Sequence, residues 1–323
     1  MLPMTEKIIF VFPGQGAQYV GMGRGMYRDY AVARYTLEQV GDIAHRDIRK
    51  ISLDGPESEL NTPENTSLAT FAQSVATARV IEHEFGMPLH AIAYAMAGHS
   101  MGQYSALHCV GSLAIGDAVR MLAARSAYMG FACVKDAGMA AIVGMDHDKL
   151  MYVKRTADAT GYAEISNHNA IDQFVVSGQR VALQAIVDNA LKNGARLAKI
   201  LNVSVPAHCA LMQPAADQMR ILVDKIPVDS PKTNWFSNQT GNVMSNPQDV
   251  KDALVDQLTH GVRWYEIMQN FPVYNITQAY ELGPGTTLSR LIRRAGVGCH
   301  AWRTDGGTNL RDVLTALSNH LSR

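Results

Sequence analysis

The residues best suited to chemistry lie in Gly98-His99-Ser100-Met101-Gly102. The apolar run Ala91 to Met96 before them reads as a short buried strand, and Tyr104-Ser105-Ala106-Leu107 after them reads as the start of a helix. A G-x-S-x-G between strand and helix is the nucleophile-elbow pattern. Glycines on both sides permit a tight turn that holds the serine clear at a helix N-terminus. There, free backbone N–H groups and the positive end of the helix dipole can stabilise an oxyanion. Ser100 is therefore the candidate nucleophile. It needs a base; a lone histidine among the eleven is usually an ordinary surface or core residue, but position makes His208, in Pro206-Ala207-His208-Cys209, a candidate. That run follows the last strand of a small subdomain, so His208 can sit at the rim of a cleft.

A third residue is out of keeping with its surroundings. On the helix expected over Gly116 to Met129, Arg125 stands four residues from Met121, three from Leu122 and four from Met129. Those spacings put a guanidinium on an apolar face. A buried guanidinium needs an anionic partner. Spacing alone favours a structural ion pair or a side chain snorkelling to the surface over a ligand-binding cation.

The elements that must position these groups alternate between strand and helix. Lys7 to Phe12 reads as a buried strand ending in the loop Pro13-Gly14-Gln15-Gly16-Ala17-Gln18. No Lys followed by Ser or Thr comes after those glycines, so a phosphate-cradling loop is not expected. Helices are expected over Gly21 to Gly41 and Thr66 to Glu84, then the elbow strand and helix. This alternation indicates an α/β domain with a central parallel sheet and the elbow on a central strand. From Gly138 to Ser204 the rhythm becomes β-α-β-β-α-β: strands Met139 to Met145, Ala163 to Ser166, Gln173 to Ser177 and Arg196 to Val203, with helices Asp148 to Thr160 and Val181 to Lys192. That is the ferredoxin-like pattern. It divides the chain into a large catalytic subdomain, residues 1–137 and 205–323, and an inserted small subdomain, residues 138–204.

Composition bounds the possibilities further. The 323 residues carry formal net charge zero and are 47% hydrophobic, enough for a sizeable core. Balanced charge gives no reason to expect nucleic acid or an anionic membrane as partner. No apolar run approaches the ~18 residues of a membrane span. Cys109, Cys133, Cys209 and Cys299 lie far apart without metal spacing and read as free thiols of a reducing, cytoplasmic compartment. No metal site is expected.

Taken together, Phe12-Pro13-Gly14-Gln15-Gly16-Ala17-Gln18, Gly98-His99-Ser100-Met101-Gly102, Arg125, Pro206-Ala207-His208-Cys209 and Gly283-Pro284-Gly285 resemble, in order and approximate spacing, the malonyl-CoA:acyl-carrier-protein transacylases of fatty acid synthesis. The resemblance spans nearly the whole chain and implies a large α/β-hydrolase-like domain carrying the ferredoxin-like insert. It implies that Ser100 carries a malonyl ester, that His208 is the base, and that Gln257 accepts a hydrogen bond from the histidine. The backbone N–H groups of Gln15 and Met101 would form the oxyanion hole. Arg125 would bind the free carboxylate of malonate, reversing the reading from helix spacing. His99, Asn167 and Asn169 would line the cleft. The implied partners are malonyl-CoA and holo acyl carrier protein, with no cofactor beyond their pantetheine arms, and a monomer is expected. A basic patch including Arg293 and Arg294 is a candidate surface for the acidic carrier. Two departures stand out. Gln103 replaces a glutamate common in the family, and Gly261 replaces the proline of its Pro-Val-x-Trp, which suggests a looser loop after Gln257. A polyketide acyltransferase, the malonyl-loading subunit of a malonate decarboxylase and a non-catalytic carrier-docking protein are further readings, and a serine hydrolase is the competing reaction class. It calls for an acid between serine and histidine in chain order, and it gives Arg125 and the insert no purpose.

Overall fold

The computed structural model describes residues 6–132, 134–203, 205–305 and 307–322, so Cys133 and Ser204 lie outside the described residues. Its strands, in chain order, are β1 (Lys7–Phe12), β2 (Ala95–Gly98), β3 (Ala137–Val143), β4 (Ala163–Ala170), β5 (Gln173–Gln179), β6 (Leu197–Ile200), β7 (Asn234–Phe236), β8 (Val243–Met244), β9 (Ile276–Glu281) and β10 (His300–Arg303). They form two sheets. The larger has the order β10-β9-β1-β2-β7-β8 and is parallel except for β8, which pairs antiparallel at the edge. Side chains alternate across a strand. Phe10 and Phe12 therefore face one helical layer, and Ile9 and Val11 face the other. Both faces of β1 are covered, which explains its unbroken apolar run.

The elbow thus lies on a central strand of a parallel sheet, as the alternation of elements predicts. Several boundaries differ from expectation, two of them with a visible physical cause. Leu89–Ile92 is a single helical turn, and the strand begins only at Ala95. Glu82 accepts the Leu89 N–H at 2.8 Å and caps that turn, a contact that hydrophobic periodicity does not report. The helix expected over Gly21 to Gly41 is broken at Tyr30, whose backbone is extended, into Arg24–Asp29 and Ala31–Ala44. Arg34 donates to the carbonyls of Tyr27 and Arg28, closing the end of the first helix.

Between the helix Ile115–Phe131 and His208, the chain builds the smaller sheet, antiparallel throughout, in the order β4-β5-β3-β6. Helices His147–Ala157 and Arg180–Lys192 pack on one face of it, around Ile142, Phe174, Val176, Leu150 and Ile186. Met139 and Val175, one residue out of phase, face the cleft instead. The two-residue period of the strands separates a private core from a wall of the site.

Candidate active site

The site lies where β9, β1 and β2 end side by side, at the carboxyl edge of the parallel sheet, the position where such sheets place ligands. Between β2 and the helix Gly102–Cys109, Ser100 is held at φ +53°, a left-handed conformation that residues other than glycine rarely adopt. The flanking glycines are required sterically. A β-carbon on Gly98 would stand 2.0 Å from the Gly102 carbonyl carbon, and one on Gly102 would stand 2.3 Å from the Phe12 oxygen. The loop after β1 is pressed against the elbow in the same way, since a β-carbon on Gly14 would meet the His99 oxygen at 2.5 Å. That contact carries Gln15 to the rim of the cleft beside Ser100. The backbone N–H groups of Gln15 and Met101 make no hydrogen bond to another described residue.

His208 completes a dyad. Its Nε2 is 2.8 Å from Ser100 Oγ, and its Nδ1 is 2.5 Å from the main-chain oxygen of Gln257. A backbone carbonyl only accepts, so Nδ1 carries the proton and the Nε2 lone pair receives the serine O–H. Gln257 is therefore the partner that the resemblance implies, but through its main chain. Its side-chain amide is buried and makes no hydrogen bond to a described residue. His208 is 3% exposed and lies at φ +62°. Burial, reinforced by the Arg125 guanidinium, pushes its imidazole down to about 3. The ring is neutral near pH 7, as a base must be.

Arg125 opens into the same cleft, whose volume is about 580 Å³. It is 6% exposed, and no described residue makes a hydrogen bond or ion pair with it, Nε included. The structural ion pair and the snorkelling side chain that helix spacing favoured are both absent. A guanidinium keeps its charge even where burial lowers its pKa, as it does here. An enclosed cation without a partner in a cleft calls for an anionic ligand.

The other candidates converge on this cleft too. His99 Nε2 lies 2.8 Å from Asn169 Oδ1, and its ring meets the edge of Trp264. Asn167 and Asn169 line the wall contributed by β4. The loop after Gln257 is not loose. Val262 N donates to Ser166 O and His168 N donates to Val262 O, both at 2.9 Å, which zips the loop to β4, and Trp264 is fully buried behind it. Gln103 is buried and accepts a hydrogen bond from Asn238 N at 3.1 Å. Asn238 itself escaped the sequence reading because it sits in a short polar turn after the three-residue β7. Glu281 likewise carries no sequence signal. This buried carboxylate accepts the Leu288 and Ser289 N–H groups and caps the helix Thr287–Ala295, whose first turn lines the cleft. Of the expected basic patch, Arg294 pairs with Asp172 at 2.8 Å, and Arg293 donates to the Ala301 carbonyl. Among the described residues no three His, Cys, Asp or Glu side chains converge as a metal site.

Residues 9–294 match the family described as the acyl transferase domain. The malonyl CoA-acyl carrier protein transacylase of Escherichia coli strain K12 is 35% identical over 292 residues, covering 90% of this chain and 93% of the relative. The crystal structure of an acyl-carrier-protein S-malonyltransferase from Burkholderia pseudomallei is 36% identical, with a TM-score of 0.91, over 96% of this chain and 99% of that one. A malonyl-transacylase solved in complex with its type II polyketide acyl-carrier protein is 31% identical, also with a TM-score of 0.91, over 96% and 100% of the two chains. The arrangement of serine, histidine and free arginine therefore stands in a chain that belongs to the acyl transferase family, among the malonyl CoA-acyl carrier protein transacylases.

Proposed function

We propose that this chain transfers the malonyl group of malonyl-CoA to the phosphopantetheine thiol of holo acyl carrier protein, through a malonyl ester on Ser100, and so supplies fatty acid elongation. The observation that carries this reading is Arg125, a buried guanidinium without a partner in the cleft that holds the Ser100–His208 dyad. Malonate offers a carboxylate, which a guanidinium fork binds bidentately.

In the first half-reaction, Ser100 Oγ attacks the thioester carbonyl while His208 Nε2 takes its proton. The negative oxygen of the tetrahedral intermediate is met by the Gln15 and Met101 N–H groups. The C–S bond then breaks, and His208 returns the proton to the departing CoA thiolate. The second half runs in reverse: His208 deprotonates the pantetheine thiol, sulfur attacks the ester, and Ser100 leaves with the proton. The Gln257 carbonyl holds Nδ1–H throughout and favours the imidazolium that forms twice in each cycle. A neutral acceptor does here what a carboxylate does in triads.

The strand order β4-β5-β3-β6 supports reading residues 138–204 as a ferredoxin-like insert in an α/β-hydrolase-like domain made of residues 1–137 and 205–323. A cytoplasmic monomer is the working state. The free thiols Cys109, Cys209 and Cys299 support a reducing compartment, and no described helix is long and apolar enough to cross a membrane. Steady-state kinetics test the scheme. Double-reciprocal plots against malonyl-CoA at several fixed concentrations of holo-carrier should be parallel, and intersecting lines would mean that both substrates bind before any transfer.

A further inference from the structure

Asn238 lies two residues beyond β7, fully buried, and makes no contact that the reaction scheme uses. Its side chain is nonetheless fastened to both sides of the strained serine. Oδ1 accepts the Ser100 N–H at 2.7 Å, and Nδ2 donates to the Gly98 carbonyl at 2.6 Å. The neighbours fix the orientation of the amide, since an N–H can only donate and a carbonyl can only accept. Asn238 is held in turn by Gln103 Oε1 on its N–H and by Arg263 N on its carbonyl. A left-handed conformation in a residue other than glycine persists only where its surroundings over-determine it. Here the over-determination comes from the turn after β7. The same hydrogen bond occupies the Ser100 N–H, so the oxyanion is left to Met101 and Gln15.

We infer that Asn238 is a positioning residue for acyl transfer: its amide clamps Gly98 and Ser100, so that the nucleophile keeps the left-handed backbone that points Oγ at His208. This rests on the reading of Ser100 as the nucleophile.

Rapid-quench mass spectrometry of malonyl-enzyme formation tests it in folded protein, with the fold checked by circular dichroism. In Asn238→Ala the acylation rate falls about 10- to 100-fold, as expected when a nucleophile is displaced. Half-saturation by malonyl-CoA stays within about threefold, because Arg125 is untouched. Asn238→Asp has the same shape but sets a second acceptor against the Gly98 carbonyl, so it also slows. A space-filling role predicts instead that it matches wild type. Acylation within about threefold of wild type in both variants overturns the inference. Should neither variant fold, Gln103→Leu removes one hydrogen bond from the clamp and lowers acylation about three- to tenfold at unchanged half-saturation, and a wild-type rate there overturns the inference. A wild-type enzyme that forms no malonyl adduct overturns the Ser100 reading first, and is distinguishable from these outcomes.

Discussion

Replacing Arg125 by methionine puts catalysis and stability in opposition. In the free protein the guanidinium is enclosed, and no described residue forms an ion pair with it. An unbranched thioether of similar reach removes that buried charge, a change that is neutral or stabilises by about 1–4 kcal/mol where buried charges have been replaced by apolar side chains. The substrate complex responds the other way. On the proposed role, two charge-assisted hydrogen bonds to the malonyl carboxylate, each worth about 1.5–3 kcal/mol, are lost together. At about 1.4 kcal/mol per decade, that removes roughly two to four decades of kcat/KM for malonyl-CoA. Acetyl-CoA offers no carboxylate and loses little, so the malonyl-to-acetyl preference shifts by roughly the same two to four decades. Urea unfolding and paired kinetics on the two donors read both effects. A preference unchanged within about threefold removes Arg125 from substrate recognition. A variant destabilised by more than about 2 kcal/mol would mean that the arginine holds the free protein together, as the structural reading of its helix spacing supposed.

Other consequences follow from the same geometry. The folded His208 titrates at about 3 against an ordinary 6.5, so its contribution to stability is complete above the unfolded value. It is lost as pH falls from about 6.5 toward 3, and the unfolding free energy of wild type relative to His208→Gln should drop across that window by up to about 1.4 kcal/mol per pH unit. Because burial and then the Arg125 charge depress His208, kcat/KM for acetyl-CoA in Arg125→Met should lose activity on the acid side at a higher pH than wild type. Identical acid limbs would show that the two groups do not communicate. Gln257→Leu keeps the main-chain carbonyl and discards a buried amide that has no partner, so kcat should stay within about threefold and stability should hold or rise. A hundredfold loss would bring the side chain into the mechanism. Glu281→Ala uncaps two N–H groups of the helix whose first turn lines the cleft, and chemical denaturation should show a loss of about 1–3 kcal/mol.

Much of the site was legible because its demands are steric and local. The elbow needs Gly98 and Gly102, and the loop after β1 needs Gly14, where backbones approach too closely for a β-carbon. Arg125 was visible as a charge on an apolar face, but spacing cannot tell a guanidinium with a protein partner from one waiting for a ligand. The Nε without a described partner is what supports the second reading. What stayed hidden depends on partners distant in sequence. Asn238 reaches back 138 residues to Ser100, and Asn169 reaches back 70 to His99. The contact of Gln257 with His208 is made by a carbonyl, which every residue has, so no side-chain pattern could have located the acceptor atom. The loop around Gly261 reads as loose only because Gly261 stands where the resembling family has proline, yet Val262 is zipped to β4 by backbone hydrogen bonds that leave no side-chain pattern. The break at Tyr30 has a local origin instead, because capping by the Arg34 side chain overrides a helical period that continues across it.

The most direct test of the account is the intact mass of the protein after brief mixing with malonyl-CoA, in wild type and in Ser100→Ala, followed by addition of holo acyl carrier protein. A single malonyl adduct is expected on wild type and none on Ser100→Ala, with the adduct discharged by the carrier thiol much faster than by water. An adduct lost equally fast with and without carrier would make the chain a hydrolase, and an adduct that survives Ser100→Ala would displace Ser100 as the nucleophile.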